Sequence, residues 1–440
     1  MAEVLAEWSR GGQSGAKTAE ALYRGKVVLA PMVRAGTLPL RLLALAYGAD
    51  TVYSEELVDL KVMKLLRVEN TALGTVDFVL PGPHPTVIFR TDPAKERGHL
   101  VFQLGSASPE TAVAAAKVVM ADVDGVDLNM GCPKKFSLQG GMGAALLKDS
   151  DRAAEIISAL RRELPARIAV SCKVRLLEDT EATLSLVRKL VAAGAHSVAV
   201  HLRQVDTDNK MPADWTQLRA IMAAVDVPIV ANGSVFQRAH IAQLRQVAGD
   251  CEKAPRLGVM VARGALINPS IFAPQPEPLE IVVRRFLRLC ARSLNPYQNS
   301  KYTLQRMLQE NSHEVSKALG AHRTVPQLCK CKTAKDMVLL WCHADLDGRG
   351  PLPAVDPQLG RDALLGALEG EPTAGDGRTY TDAYILDARN EMGHGSGSAI
   401  VAADQPGGGG GGFAPADEAC GPPKATDERA SKRQKPGEGV

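Results

Sequence analysis

The amino-acid sequence predicts an α/β protein whose main part is a (β/α)8 barrel, and two observations carry that prediction. Between residues 25 and 270, eight short apolar runs alternate with longer segments of helical periodicity. The runs are rich in Val, Ile and Leu and show little polar alternation, as expected of strands covered on both faces. Eight such units in about 250 residues match the size of a (β/α)8 barrel.

The elements follow one another regularly along the chain. The predicted strands are residues 27–32, 51–57, 100–104, 125–129, 168–173, 197–201, 228–232 and 257–262. The clearest helices between them are 109–123, 149–164, 180–193 and 215–225, which begin near Asp, Thr or Pro. A doubly wound sheet is the alternative, but it usually has fewer strands and a phosphate-binding glycine loop after the first. Here Pro31-Met32-Val33-Arg34 follows the first strand instead.

The chain divides into five predicted regions. Residues 1–24 form an N-terminal extension that is polar and lacks a secretory apolar core, and no apolar run is long enough to cross a membrane. Residues 25–273 form the barrel, and a proline-rich break at 274–278 separates it from a small all-α domain at 279–333. Helices are predicted at 279–289, 301–310 and 312–319. Region 334–404 has fading order, and 405–440 is a Gly-rich tail too poor in apolar residues to fold.

Charge is unevenly distributed along the chain. Residues 276–344 hold 11 Lys/Arg and 5 Asp/Glu, a net +6, whereas residues 345–440 hold 9 and 16, a net −7. Clustered positive charge suits a polyanionic partner such as nucleic acid, and a solvated helical face is the alternative. The eight cysteines lack framework spacing and are expected to be reduced. We expect a cytoplasmic monomer, with nuclear import through the basic run 432–435 as the less favoured alternative to a solvated tail.

Polar residues end most of the predicted strands. The residues at the eight strand ends are Met32, Glu55, Gln103, Asn129, Lys173, His201, Asn232 and Arg263. The active site of a (β/α)8 barrel lies at this end of the strands. Burying so many polar groups together without partners would be costly, so the pattern predicts a polar ligand.

The residue types at these ends indicate a flavin. Asn232-Gly233-Ser234 and Ala262-Arg263-Gly264 follow the last two strands, where such barrels commonly bind phosphate. Lys173 and Gln103 have side chains suited to hydrogen-bonding an aromatic heterocycle, and a lysine stabilises an anionic reduced flavin. Flavin mononucleotide (FMN) is therefore the favoured cofactor. The alternative for Asn232-Gly233 is an ordinary turn, and for His201 a core histidine.

Two other motifs are less favoured as sites. Residues 140–143 (Gly-Gly-Met-Gly) resemble a nucleotide loop, but no strand directly precedes them. Cys329 and Cys331 with Cys342 and His343 lack the Cys-x-x-Cys spacing of zinc knuckles, so we expect no metal.

A single cysteine stands on a turn after the fourth strand. Asn129 ends that strand, and Gly131 and Pro133 force a turn around Cys132. The thiol could act as a nucleophile, with Lys134 and Lys135 depressing its pKa, or as a general acid, or it could be inert. An unperturbed thiol is mostly protonated at neutral pH, which suits a general acid beside a reduced flavin.

The motifs together resemble the tRNA-dihydrouridine synthases. The residues that carry the resemblance are Ala30-Pro31-Met32, Gln103, Asn129-Met130-Gly131-Cys132-Pro133, Gly141-x-Gly143-Ala144, Lys173-Val174-Arg175, His201, Ala213-Asp214-Trp215, Asn232-Gly233-Ser234 and Ala262-Arg263-Gly264. The match covers about residues 25–335. Residues 296–302, followed by Met307-Leu308, resemble the helical tRNA-binding domain of the eukaryotic branch that acts on uridine 20.

This resemblance implies a TIM barrel that reduces the uracil 5,6 double bond in the tRNA D-loop. FMN, itself reduced by NADPH, would give hydride from N5 to C6, and Cys132 would protonate C5. The implied cofactor-binding residues are Pro31, Met32, Val33, Glu55, Gln103, Asn129, Lys173, His201, Asn232, Gly233, Ser234, Ala262 and Arg263. Asn129 and Arg175 would contact the flavin or uracil, and the basic helices, with Arg285, Lys301 and Arg306, would hold the tRNA while the target base is flipped out.

The sequence departs from animal members of this branch, which carry a double-stranded-RNA-binding domain after the helical one. Residues 334–341 and 398–402 resemble only its first and last helices, the expected lysines are missing, and the region is acidic. That module is therefore expected to be absent or degenerate. Two other functions are considered: a flavin barrel acting on a free pyrimidine such as dihydroorotate, and a non-catalytic tRNA-binding protein on the same scaffold.

Overall fold

The structure is a computed structural model that describes residues 15–208, 210–249, 256–310, 325–333, 336, 337 and 340. Several predictions lie outside these residues. They are the helix at 312–319, the Cys342–His343 pair, nearly all of the degenerate region 334–404, the tail 405–440 and the first 14 residues of the N-terminal extension.

Eight parallel strands form a closed barrel, which confirms the predicted fold class. The strands are β1 Val27–Leu29, β2 Thr51–Tyr53, β3 Leu100–Gly105, β4 Gly125–Asn129, β5 Ala169–Arg175, β6 Ser197–His201, β7 Ile229–Asn232 and β8 Gly258–Val261. Each pairs in parallel with its neighbours in chain order, β8 pairs with β1, and the β2–β3 pairing completes the ring. The two-residue strand Leu57–Val58 extends the mouth by pairing with the end of β3.

Side chains alternate between the inside and the outside of the barrel. Val126 and Leu128 of β4 belong to the large apolar cluster between the barrel and its helices. A second cluster inside the barrel contains Tyr53, Ala199 and Met260 from other strands. Because side chains alternate along a strand, Asp127 and Asn129 share the inner face of β4. On β4 the apolar Val126 and Leu128 therefore lie on the outer face, and the polar Asp127 and Asn129 on the inner one.

A short helix closes the amino-terminal end of the barrel. Residues Gly15–Tyr23 form this N-terminal helix, whose Ala19, Leu22 and Tyr23 join the inner cluster. Thr51 on β2 donates a hydrogen bond to the Leu22 carbonyl at 2.6 Å. Part of the predicted N-terminal extension therefore packs as an integral part of the barrel, because it covers apolar surface that the first strand layer leaves open.

The remaining helices cover the outside. They are Leu38–Ala46, Pro109–Val119, Ser150–Glu163, Thr180–Ala192, Leu218–Ala224 and Arg238–Val247, with shorter helices at Asp59–Val62, Pro93–Glu96, Lys135–Gln139 and Arg263–Ile267. Three of them begin as predicted from local sequence. The side chains of Ser108, Asp149 and Asp179 accept hydrogen bonds from the first turns of their helices.

An antiparallel sheet is inserted between β2 and β3, and the sequence reading missed it. Its strands are Leu66–Asn70, Thr75–Leu80 and Thr86–Thr91. Gly74, with φ +67°, makes the first tight turn. The buried Asp77 pairs with Arg90 of the opposite strand. Arg90 also donates to the carbonyl of Ser293, so the inserted sheet is tied to the helical segment that follows the barrel.

Three described helices follow the barrel: Leu279–Arg292, Tyr297–Glu310 and Val325–Lys330. The first packs against the Leu38–Ala46 helix and buries Val282, Val283 and Phe286. The second begins at Tyr297, earlier than predicted, because Pro296 suits the start of a helix. In the described part of the chain, no helix combines the length and apolarity that crossing a membrane requires.

Candidate active site

A cavity of about 220 Å³ opens at the carboxyl ends of the strands. Its lining includes eight of the predicted cofactor-binding residues: Pro31, Lys173, His201, Asn232, Gly233, Ser234, Ala262 and Arg263. Strand register explains the convergence, because His201 pairs with Asn232 across β6 and β7. Ala30, Arg203, Val235, Phe236 and Met260 complete the lining.

The Asn232-Gly233-Ser234 turn lines one side of the cavity. Together with Arg203 and Arg263 it forms a positively charged recess, which we call the cradle. Gly233 has φ +126°, and an added Cβ would lie 2.8 Å from the Ala213 Cβ and 3.3 Å from the His201 Cδ2. Ser234 has φ +59°, which is uncommon for a residue with a side chain. Trp215 Nε1 donates to the Gly233 carbonyl at 3.1 Å. The turn itself therefore requires glycine at position 233, and the predicted binding of a ligand there stays a prediction.

Arg203 is the main residue of the cavity that the sequence reading missed. It is only 4% exposed, and its Nη2 donates to Ser234 Oγ at 2.7 Å. Its Nε donates to the Met211 carbonyl at 2.8 Å, which fixes the guanidinium against the cradle. Arg263, the predicted cation, lies over the Phe236 ring at 4.9 Å. Arg203 lies two residues beyond the end of β6, so it is not among the strand-end residues from which the sequence predicts a site.

His201 is held as a neutral imidazole with a defined tautomer. Burial and the neighbouring cations Lys173, Arg175, Arg203 and Arg263 lower the pKa of His201 far below its usual range. Arg203 Nη1 lies 3.0 Å from His201 Nε2, and an arginine can only donate. Nε2 is therefore the acceptor, and Nδ1 carries the proton that is left for a ligand.

Lys173 stands beside these cations on β5. Burial and the charge of Arg175 lower the pKa of Lys173 to about 8. Lys173 pairs in register with Asn129, so it lies next to the strand end that leads to Cys132. Arg175 Nε donates to the Gly131 carbonyl at 2.9 Å and Nη1 to the Gln204 carbonyl at 3.0 Å. Arg175 thus holds the cysteine turn in place, and its predicted contact with a ligand stays a prediction.

Gln103 belongs to a polar network inside the barrel. Its Nε2 donates to Asp127 Oδ2 at 2.9 Å, and Ser171 Oγ donates to Asp127 Oδ1 at 2.7 Å. Tyr53 and Tyr23 continue the network toward the N-terminal helix. Burial raises the pKa of Asp127 to about 6. Asp127 was not predicted, although it lies two residues before Asn129 on the same face of β4.

Cys132 is half-buried on the turn after β4. Asn129 Oδ1 accepts from the Gly131 backbone N–H at 2.9 Å and shapes that turn. Gly143 packs so closely that an added Cβ would lie 2.7 Å from the Cys132 carbonyl oxygen. Burial and the negative charge of Glu56 raise the pKa of the Cys132 thiol. The predicted depression by Lys134 and Lys135 is therefore outweighed, and the protonated form is favoured.

The remaining predicted residues near the mouth have different surroundings. Glu55 Oε2 accepts from the Arg34 backbone N–H at 2.8 Å, and Glu55 lines a second cavity of about 220 Å³ together with Gly36 and Arg41. Met32 packs partly buried against the core. Val33 is 46% exposed and does not line the first cavity.

Three basic residues of the helical segment make internal contacts. Arg285 pairs with Glu277 at 2.8 Å and lies over the Tyr47 ring. Lys301 Nζ donates to the carbonyls of Cys329 and Cys331 at 3.0 and 2.8 Å. Arg306 donates to Gln309 at 3.3 Å. Their predicted contact with tRNA stays a prediction. Among the described residues, no group of three or more His, Cys, Asp or Glu is arranged to hold a metal ion.

The arrangement joins a cationic cradle to a protonated thiol. The cradle suits a phosphate, Lys173 and His201 line the cavity and can hydrogen-bond a heterocycle, and Cys132 offers a proton. Gln103 does not line the cavity, and its predicted contact with a ligand stays a prediction. Lys173 and Arg175 both interact electrostatically with Cys132, and Lys173 also lines the cavity. The chemistry that this set supports is proton donation to a bound unsaturated ligand.

Comparisons with known proteins agree with this chemistry. Residues 28–334 match the family described as "Dihydrouridine synthase (Dus)". The chain is 40% identical over 301 residues to "tRNA-dihydrouridine(20) synthase [NAD(P)+]" of Saccharomyces cerevisiae, which covers 65% of this chain and 78% of the yeast protein. It is 43% identical over 296 residues to the protein of the same name in Schizosaccharomyces pombe, covering 65% of this chain and 60% of that protein. Identity to the S. pombe "tRNA-dihydrouridine(20a/20b) synthase [NAD(P)+]" is 29% over 59% of this chain.

Proposed function

The chain belongs to the dihydrouridine synthase family, and on that premise we propose that it reduces uridine in tRNA to dihydrouridine with NAD(P)H as reductant. The observation that carries the proposal is the meeting of two groups at one barrel mouth. A cationic cavity stands on β5 to β8, and a thiol with a raised pKa stands beside it after β4. Reducing a polarised carbon–carbon double bond requires a bound hydride source and a proton donor, and these two groups match those needs.

We propose FMN as the hydride source, because the residues present fit it. Gly233 leaves the space that a Cβ would fill, and Arg203, Arg263 and Ser234 form a donor set suited to a phosphate. Lys173 and Gln103 would bind the ring system, with Asn129 and His201 nearby. When bound, the flavin supplies a hydride to one carbon of the uracil 5,6 bond.

The chain's own residues then handle the proton. Cys132 keeps its proton at neutral pH because burial and Glu56 disfavour the thiolate. Arg175 and Gly143 fix the turn that carries the thiol, so the proton is presented at one place in the mouth. Cys132 donates that proton to the second carbon of the double bond, and His201 Nδ1–H offers a hydrogen bond to a carbonyl of the flavin or uracil.

Uridine 20 is the proposed position, and NADPH the proposed reductant. The two relatives that share 40% and 43% identity carry position 20 in their names, which also name NAD(P)+. The segment 276–344 carries a net +6 charge, which suits the phosphates of a tRNA. Arg285, Lys301 and Arg306 are proposed tRNA contacts. To bind a phosphate, each would release its partner within the protein or bind both groups at once.

The test uses the full chain. The purified protein should show flavin absorbance, and mass spectrometry of the released cofactor should identify FMN. Incubation with NADPH and tRNA from a strain that lacks dihydrouridine at position 20 should restore it, as mapped by nuclease digestion and mass spectrometry. The Cys132→Ala protein is the control and should keep flavin and tRNA binding.

Three outcomes separate the alternatives. Dihydrouridine at position 20 supports the proposal. Conversion of a free pyrimidine with no change in tRNA would instead indicate the dihydroorotate-type reaction. Flavin that NADPH does not reduce, with tRNA binding retained, would indicate a non-catalytic tRNA-binding protein.

A further inference from the structure

Glu56 is a buried carboxyl group at the barrel mouth, outside the set of site residues that the sequence predicts. It lies three residues beyond β2 and is 8% exposed. Its Oε1 atom is buried and has no hydrogen-bond partner among the described residues. An unsatisfied buried carboxylate oxygen is costly, so its retention at this place calls for an explanation.

The surroundings of Glu56 point to Cys132. The polar side chains that lie close enough to its carboxyl to lower its pKa are those of Cys132 and Asn129. Gly105, at the end of β3, makes room for it, since a Cβ added there would lie 2.8 Å from Glu56 Oε1. The carboxyl is thus placed against the thiol by three strand ends: β2 supplies it, β3 leaves space for it and β4 supplies its partners.

We propose that Glu56 is a positioning residue for Cys132, which keeps the thiol protonated and returns a proton to it after each turnover. This inference rests on the proposed function. In the step, the S–H bond of Cys132 breaks as its proton forms a C–H bond on the substrate. Solvent then supplies one proton through the small exposed edge of Glu56: the Glu56 carboxylate takes it up and passes it to the Cys132 thiolate, which restores the S–H bond and leaves Glu56 charged again. No electrons are exchanged between the two side chains.

The charges around Glu56 and Cys132 favour proton donation by the thiol and proton return by the carboxyl. Burial raises the pKa of Glu56, so it carries a proton at higher pH than a surface glutamate. Facing Cys132 from β5, the cations Lys173 and Arg175 stabilise a thiolate, and Glu56 opposes them. Without Glu56, its negative charge would no longer raise the pKa of the thiol, and the thiol would lose its proton more easily.

The first experiment measures the thiol directly and does not depend on turnover. Iodoacetamide reacts with the thiolate, so the alkylation rate of the Cys132 peptide, followed by mass spectrometry across pH, reports the thiol pKa. In Glu56→Gln the alkylation curve should move to lower pH by about one unit, because a nearby negative charge is removed. Glu155→Gln, which changes an exposed glutamate on the Ser150–Glu163 helix, is the matched control and should leave the curve unchanged.

The second experiment measures turnover in the holoenzyme. Reduction of the flavin by NADPH should be unchanged in Glu56→Gln, whereas steady-state formation of dihydrouridine should fall by about ten-fold or more. The first turnover at pH 6, which starts from a protonated thiol, should fall less than the steady-state rate. A merely structural role would lower both rates equally and would not move the alkylation curve.

A second variant guards against misfolding of the first. Gly105→Ala adds one methyl group beside Glu56 Oε1 and should displace the carboxyl, shifting the curve in the same direction by a smaller amount. The proposal is overturned if the alkylation curve of Glu56→Gln, or of Gly105→Ala where the former does not fold, matches the wild-type curve. Unchanged steady-state turnover would also overturn it. Absence of dihydrouridine in the wild type would contradict the proposed function alone, because the alkylation curves would still be measurable.

Discussion

The two sides of the barrel mouth have opposite electrostatics. On β5 to β8, burial and mutual repulsion lower the pKa values of Lys173, His201 and Arg203. On the side of β2 and β4, burial raises the pKa values of Glu56, Asp127 and Cys132. On both sides the surroundings disfavour the charged forms, but these charges are positive on the first side and negative on the second. The side formed by β5 to β8, which we call the cationic side, is suited to binding an anion. The side formed by β2 and β4, which we call the acidic side, is suited to holding a proton.

This difference shows how one mouth performs two tasks. A bound phosphate would relieve the repulsion among the cations, so binding energy is available only on their side. A buried acid holds its proton where burial outweighs the nearby cations, as it does at Asp127 and Cys132 although Lys173 interacts with both. Acidic residues on the cationic side would weaken anion binding, and basic residues on the acidic side would favour loss of the proton from Cys132. The following predictions test the two sides separately.

The largest effect is expected at the thiol. Cys132→Ala should reduce dihydrouridine formation by about 10²- to 10⁴-fold, the range attributed to a positioned general acid. Flavin absorbance and tRNA affinity should be retained, because the cradle lies on the other side of the mouth. Mass spectrometry of nucleosides and filter binding of tRNA provide the measurements. Activity within two-fold of wild type would contradict the acid role.

The acidic side also predicts how stability depends on pH. Asp127 binds its proton with a pKa of about 6 in the fold, against 3.8 as the ordinary value. The folded state therefore holds more protons than the unfolded one between these values, and stability falls as pH rises through that window. Asp127→Asn removes this loss. Relative to wild type, the flavin-free variant should gain about 2 to 3 kcal/mol of unfolding free energy between pH 4 and pH 7.

Urea unfolding at several pH values tests this prediction, with Asp151→Asn as the control because Asp151 is exposed. A difference between wild type and Asp127→Asn that stays constant with pH would contradict it.

The cationic side should respond through flavin affinity. Gly233→Ala places a methyl group 2.8 Å from Ala213 at a φ of +126°, so the cradle must shift. Flavin affinity should fall by about 10- to 100-fold, corresponding to strain of 1 to 3 kcal/mol. Gly82→Ala is the matched control, since nothing lies within 4 Å of its added Cβ. Fluorescence titration with FMN measures both variants, and equal affinities would refute the cradle.

The smallest effect on flavin affinity is expected from a substitution that keeps the positive charge of Arg203 but removes its planar guanidinium group. Arg203→Lys preserves one positive charge but cannot contact Ser234, Met211 and His201 together. Flavin affinity should fall by about ten-fold, consistent with losing one charge-assisted hydrogen bond. The thiol alkylation curve of Cys132 should stay in place. Movement of that curve would show that the two sides are more closely coupled than the structure indicates.

The sequence predicted the barrel and its cationic side well, because both depend on local order. Strand ends that alternate with helices identify residues such as Lys173, His201 and Asn232, and parallel strands must bring them to one mouth. Arg203, Asp127 and Glu56 were missed for a different reason. Their roles come from neighbours on other strands, and nothing in the local pattern shows that Glu56 lies against Cys132. The inserted sheet was missed because its strands are antiparallel and lie between two barrel strands.

The N-terminal helix has a consequence for the hydration of the barrel. Its Tyr23 meets Tyr53 and Ser171, whose hydroxyls lead to Asp127. The helix therefore covers the amino-terminal end of the barrel and shields it from bulk water. A chain shortened to begin at residue 25 would let water rise through that end and hydrate Asp127. The pKa of its carboxyl would then fall toward that of an exposed aspartate.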